Sequence, residues 1–223
     1  MKIEVVVTNV EEAILAEKYG ADCVELIHSF AEGGLSPKLA LSEQVCAAVK
    51  IPVYIMVRPH GKNFVYSHRQ SNQMLYEIKN LSTYTKAKGI VFGALTAEGE
   101  LDVALLEKVI DAKKHLTLTF HRAIDAMSDP LAGYKELLNY ESVDRVLTSG
   151  GAETAVIGAS VIKQMVAAGK DVKHAQVLAG SGITPDNARE IIKQTGVTQI
   201  HVGTGVRTDN ILDAKKFKQL LVS

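Results

Sequence analysis

Short β-branched runs alternate with amphipathic stretches from one end of the chain to the other, and that alternation leaves few folds open. Strands are expected at Ile3 to Thr8, Cys23 to Ile27, Val53 to Val57, Ile90 to Phe92, Leu116 to Phe120, Val143 to Thr148, Ala175 to Ala179 and Gln199 to Val202. Apolar residues at helical spacing predict helices over Glu11 to Tyr19, Leu39 to Val49, Gln70 to Lys88, Leu101 to Ala112, Leu131 to Leu138, Ala155 to Ala168, Pro185 to Gln194 and Asp213 to Leu221. Eight strand–helix units in 223 residues leave about 28 residues per unit, the economy of a single α/β domain folded as a (β/α)8 TIM barrel over residues 1–223. A doubly wound open sheet is the alternative. Asn9, Ser128 and Thr184 are expected to cap helix starts, Pro130 and Pro185 to occupy first turns, and Gly20 and Gly196 to end helices.

Composition removes several partners. Lys and Arg number 25 against 25 Asp and Glu, and no basic block interrupts that balance, so neither nucleic acid nor an anionic membrane is an expected partner. Cys23 and Cys46 are too few for a disulfide framework or a four-thiolate zinc site, and reduced thiols are the expectation. Glu4 interrupts what would be the apolar part of a signal peptide, and no later run reaches the length of a membrane span, so a cytoplasmic location is expected.

Loop lengths give the barrel its polarity. Helix-to-strand connections are terse, whereas His28 to Ser36, Pro59 to His68, Gly93 to Glu100 and His121 to Asp129 are long and polar and follow strands, on the face where barrel enzymes keep their sites. With the most apolar parity of each strand turned outward, Glu4, Val6, Thr8, Cys23, Glu25, Tyr54, Met56, Arg58, Thr117, Thr119, His121, Gln199, His201 and Gly203 turn toward the axis. Charges gathered there must pair with one another or meet a ligand. Glu4 suits an internal ion pair and Glu25 suits either role, while Arg58, His121 and His201 sit at strand ends where ligands bind. His121 is the candidate proton carrier, with Asp125 placed to orient its second ring nitrogen and Glu25 to assist. Arg122 has outward parity and is expected to tie down a loop.

Three adjacent turns end in small residues: Leu147 to Gly151, Leu178 to Gly182 and Val202 to Gly205. Glycine lets backbone N–H groups close on an anion, so Ser149, Gly150, Gly180, Gly182, Gly203 and Gly205 are candidate binders of a phosphate or carboxylate, together with Arg58 and His201. Tight turning alone is the alternative use of those glycines.

Taken in order, Gly20-Ala-Asp-Cys-Val-Glu-Leu26, Glu32-Gly-Gly-Leu-Ser-Pro37, Ile51-Pro-Val53, Val57-Arg-Pro59, Thr119-Phe-His-Arg-Ala-Ile-Asp125, Arg145-Val-Leu-Thr-Ser-Gly150 and Ala179-Gly-Ser-Gly-Ile183 resemble the copper homeostasis protein CutC family. The resemblance implies a cytoplasmic TIM barrel, commonly a homo-oligomer, associated with copper tolerance and copper-binding in some members; it names no settled reaction. The chain departs from the family's cysteine pattern, with Val6, Val7 and Ile27 where cysteines often stand, so the soft donors a cuprous ion prefers are missing there. His121 and His201 remain possible holders of a cupric or zinc ion. The expected partner is thus a copper ion or a small anionic metabolite, the latter handled by isomerisation, aldol-type cleavage or hydrolysis. No inward lysine ends a strand, which disfavours Schiff-base chemistry.

Overall fold

A computed structural model describes residues 1–222. Eight parallel strands close on themselves in chain order: β1 (Lys2–Val7), β2 (Cys23–Leu26), β3 (Val53–Met56), β4 (Gly89–Phe92), β5 (Thr117–Phe120), β6 (Arg145–Thr148), β7 (Gln176–Ala179) and β8 (Gln199–Val202). The surrounding helices are α1 (Val10–Tyr19), α2 (Leu39–Ala48), α3 (His68–Tyr84), α4 (Val103–Lys113), α5 (Pro130–Leu137), α6 (Ala159–Ala168), α7 (Ala188–Thr195) and α8 (Ala214–Val222). The open-sheet alternative is excluded by the pairing of β1 with β8, in which Glu4 faces His201 and Val5 faces Val202. A short hairpin after β8, β9 (Arg207–Thr208) with β10 (Ile211–Leu212), was not foreseen. None of the described helices is long and apolar enough to cross a membrane.

The two parities of each strand serve two cores. Ile3, Val5 and Val7 of β1, with their equivalents on the other strands, join the helices in one continuous apolar layer outside the barrel. Inside, Val6, Ile27, Met56 and Val91 form a separate small cluster with Tyr54 against it.

Helix boundaries follow local chemistry, with three departures from the sequence expectation. Asn9 caps α1 by accepting from Glu12 N–H, and Gly20 and Gly196 end α1 and α7 in the left-handed conformation. Asp129, not Ser128, caps α5, because its carboxylate reaches Ala132 N–H while Pro130 fills the first turn. Thr184 lends α7 its carbonyl rather than its hydroxyl, and the Asn187 side chain bonds back to Thr184 N–H, so Pro185 lies in a lead-in turn. The helix expected from Gln70 starts two residues earlier, where Ser67 and Gln70 form a reciprocal cap, and ends at Tyr84.

Candidate functional site

The long strand-to-helix loops surround a cavity of about 630 Å³ at the C-terminal end of the barrel. Glu25 and His201 border it, and behind them lies a connected set of buried charges. Parallel register puts Glu4 beside His201 on one side and beside Cys23 on the other, all on inward parity. His201 Nδ1 stands 2.9 Å from Glu4 Oε1 and 3.3 Å from Glu25 Oε2. On its other oxygen Glu4 meets Arg145 Nη2 at 2.7 Å, while Arg145 Nε donates to Thr119 Oγ1 at 3.0 Å and the guanidinium lies 3.7 Å from the centre of the Tyr54 ring. Two carboxylates are thus matched by one permanent cation and one titratable one.

Each group's protonation follows from that geometry. Burial alone would raise the Glu4 carboxyl, but the charge of Arg145 and the bond and charge of His201 overcome it and hold the group down at about 2. Glu25 is not paired with a guanidinium: burial lifts it to about 7, against the pull of His201 and the weaker pull of Arg145, with the Glu4 charge adding to the rise. Burial disfavours the His201 imidazolium, yet the Glu4 bond and the charges of both carboxylates win and raise its affinity for a proton. A carboxyl lifted to about 7 and an imidazole whose proton affinity is raised above its ordinary value therefore meet at the inner wall of the cavity.

His121 is placed differently from expectation. Asp125 does not touch it; the ring Nδ1 instead accepts from Ala123 N–H at 3.1 Å, in a 3-10 turn over Arg122–Ala126. The ring is buried beside Phe64, with centroids 5.1 Å apart, and Gly93 packs so closely that a Cβ there would lie 2.4 Å from Nδ1. Burial, with Arg58 nearby, pushes its pKa down to about 3, so the ring is neutral in the physiological range.

The anion-binding expectation divides turn by turn. After β6 the turn is already filled by the chain's own carboxylate: Asp125 accepts from Thr148 Oγ1, from Ser149 N–H and Oγ, and from Gly151 N–H, with Arg122 Nε at 2.8 Å. That corrects the assignments of Ser149 and Gly150 as ligand binders and of Asp125 as orienter of His121; Gly150 packs against the Gly158 carbonyl. Gly180 packs on Leu147, and Gly205 allows the Ile183 carbonyl to approach where a Cβ would sit 2.0 Å away; neither borders the cavity. Gly182, Ile183, Gly203 and Thr204 do border it. Among the described residues, the backbone N–H groups of these four donate to no protein acceptor.

Arg58 also changes role. Its Nη1 donates to the carbonyls of Glu32 and Gly33 at 3.2 and 3.1 Å, its Nη2 to that of Gly61 at 3.3 Å, and it lies 4.7 Å from the Phe64 ring centre. It clamps the β2 and β3 loops together through its terminal nitrogens, while its buried Nε, on a residue that borders the cavity, makes no hydrogen bond. Two residues that sequence reasoning passed over complete the picture. Arg145 pairs with Glu4, a placement that strand parity does not signal because Val146 and Leu147 put an apolar residue on each face of β6. Arg207 braces the turn after β8 by donating to the carbonyls of Gly203 and Val6, both at 2.7 Å.

Metal fit can be judged from the donors. Glu4, Glu25 and His201 offer two carboxylate oxygens and an imidazole nitrogen within 4.8 Å of one another, a hard-to-borderline set already engaged with Arg145. The nearby thiol, Cys23, donates to Glu4 Oε2 at 3.6 Å, and burial beside that carboxylate keeps it protonated far above the usual thiol range. A cuprous ion, which favours thiolates and thioethers, does not fit these residues. Among the described residues, no group of three or more His, Cys, Asp or Glu donors contains both His121 and His201.

The fold and this wall of paired ionisable groups define a (β/α)8 barrel whose cavity is bordered by buried carboxyl and imidazole side chains. The chain belongs to the CutC family, whose sequence signature matches residues 1–206. It is 38% identical over 208 residues to a CutC family protein of Pasteurella multocida, covering 93% of this chain and 84% of that one. With the human copper homeostasis protein cutC homolog it shares 39% identity over 199 residues, 89% of this chain and 71% of the human one. A crystal structure described as a copper homeostasis protein CutC, from Streptococcus agalactiae, superposes with a TM-score of 0.84 at 27% identity, over 93% of this chain and all of that one.

Proposed function

We propose that this CutC-family barrel is an enzyme that moves a proton on a small anionic metabolite, with His201 and Glu25 as the proton-exchanging pair. The observation that carries the reading is the pair itself: a carboxyl and an imidazole, each with its proton affinity raised, held 3.3 Å from each other at the wall of a metabolite-sized cavity. The unbonded N–H groups of Gly182, Ile183, Gly203 and Thr204 supply donors for the anionic end, in the arc where barrels often hold phosphate. Glu4 and Arg145 act from behind: they fix the Nδ1–H of His201 toward the carboxylates and leave its other nitrogen for chemistry. The copper association of the family names is a second reading, and among these donors it is open to a cupric or zinc ion on Glu4, Glu25 and His201 rather than to cuprous ion.

The test is a thermal-shift screen of the purified protein against inorganic phosphate and a panel of phosphate- and carboxylate-bearing metabolites. Stabilisation by members of that panel, lost in Gly203→Val, supports the reading. No shift from any anion, together with stoichiometric binding of cuprous ion that Cys23→Ser removes, would overturn it in favour of metal carriage.

A further inference from the structure

The orphaned polar atoms of the cavity wall limit what the ligand can be. A neutral imidazole carries one ring proton, and the nitrogen that accepts a hydrogen bond cannot hold it. Since His121 Nδ1 accepts from Ala123 N–H, the proton is on Nε2. That Nε2–H is buried and has no protein acceptor, on a residue that borders the cavity. Glu25 Oε1 is likewise buried and without a partner, its other oxygen facing His201. An unmet buried donor and an unmet buried acceptor in one cavity are each costly unless a ligand or water completes them.

We infer that the substrate carries a carbonyl with an acidic neighbouring carbon, that His121 Nε2–H receives the carbonyl oxygen, and that Glu25 Oε1 removes the proton from that carbon. This rests on the proton-transfer reading above and gives it a substrate class. The C–H bond breaks and an O–H bond forms on Glu25; the electron pair moves into a carbon–carbon double bond, and the carbonyl oxygen becomes an enolate oxygen held by Nε2–H. Returning the Glu25 proton to carbon closes the balance with no oxidant, reductant or leaving group. His121 thus differs from the proton carrier expected from sequence: its Nδ1 is tied to the backbone and its ring is packed between Phe64 and Gly93, so it acts as a fixed donor that polarises an oxygen. A neutral imidazole beside a carboxylate base is a combination that suits enolisation, because an imidazolium would protonate the oxygen too readily and a solvated carboxylate would be too weak a base.

Two phosphates that differ at one end provide the test. Phosphoglycolohydroxamate presents a planar, enediolate-like group; glycerol 3-phosphate presents only hydroxyls. Calorimetry on the full-length protein is expected to show the hydroxamate bound at least about tenfold more tightly. His121→Ala and Glu25→Gln are expected to lose hydroxamate affinity by a larger factor than glycerol 3-phosphate affinity and so to remove that preference, and His121→Gln, which retains an N–H donor, is expected to restore part of it. Nitrogen-15 spectra of the wild-type imidazoles, which need no variant to fold, should show a neutral His121 ring protonated on Nε2 from about pH 5 to about pH 8. Equal binding of the two phosphates, or a His121 protonated on Nδ1, overturns the carbonyl inference and leaves the anion reading standing. Failure of both phosphates to bind the folded protein removes the anion reading as well.

Discussion

Replacing Arg145 with Met removes the permanent cation behind the site while keeping much of its volume. Glu4 would then be a buried carboxylate supported by His201 alone, the Thr119 hydroxyl would lose its donor, and the face of Tyr54 would lose the guanidinium now 3.7 Å away. Breaking one side of a buried pair in this way costs about 3–5 kcal/mol, because the remaining charge stays desolvated. With an unfolding entropy near 2.1 cal/mol/K per residue, about 4 kcal/mol corresponds to a fall of about 8 °C in Tm for a chain of this size. The deficit should depend on pH, and its sign is fixed by Glu4. In the wild type Glu4 is held at about 2, below its unfolded value, so its contribution is present above the ordinary carboxylate range and is lost as pH falls through that range toward 2. In the variant the carboxyl titrates above its unfolded value, so acid relieves the strain and the Tm gap closes between about pH 7 and about pH 4. Scanning calorimetry of wild type, Arg145→Met and the double variant Glu4→Gln with Arg145→Met reads this directly. The double variant, with no charge left unpaired, should recover more than half of the loss. A gap under about 1 kcal/mol that is flat in pH would refute the reasoning, since it would mean the pair is solvated and gives Glu25 and His201 no electrostatic backing.

Glu25→Gln should abolish turnover and flatten the pH dependence of Tm: the folded-state pKa of about 7 lies above the unfolded one, so Glu25 contributes stability below the ordinary carboxylate range that disappears as pH rises through 7. The variant is therefore expected to melt higher than wild type at about pH 8, by differential scanning fluorimetry. Asp125→Ala empties the nest after β6, leaving Ser149 and Gly151 N–H groups without their acceptor; urea denaturation should show a loss of about 2–4 kcal/mol, partly restored by added phosphate but not by chloride. Titration of the reduced protein against a cuprous chelator should leave the chelator loaded, and Cys23→Ser should change nothing, because the thiol is buried and protonated.

The order of elements was legible because a barrel repeats its pattern, and the inward parity of Glu4, Glu25 and His201 followed from alternation alone. What escaped were contacts made by backbone. Nothing in the residue string marks the carbonyls of Glu32, Gly33 and Gly61 as the acceptors that consume Arg58. Nor does it show that Ala123 N–H fixes the tautomer of His121, since that depends on the 3-10 turn after β5. Asp125 reaches Ser149 across 24 positions of sequence, so the acid that looked like a partner for its neighbour His121 belongs to the next strand's turn. Arg145 was missed for another reason: in Arg145-Val-Leu-Thr148 both parities contain an apolar residue, and the usual sorting rule loses its contrast.

Because one guanidinium gathers carbonyls from the loops that follow β2 and β3, these two segments behave as a single lip. The aperture of the cavity is then set by the reach of the Arg58 side chain more than by the residues of either loop. Replacing Arg58 would change which molecules enter while leaving Glu25 and His201 untouched, but it would also remove a charge that helps keep the His121 ring neutral, so one side chain ties access to chemistry in this barrel.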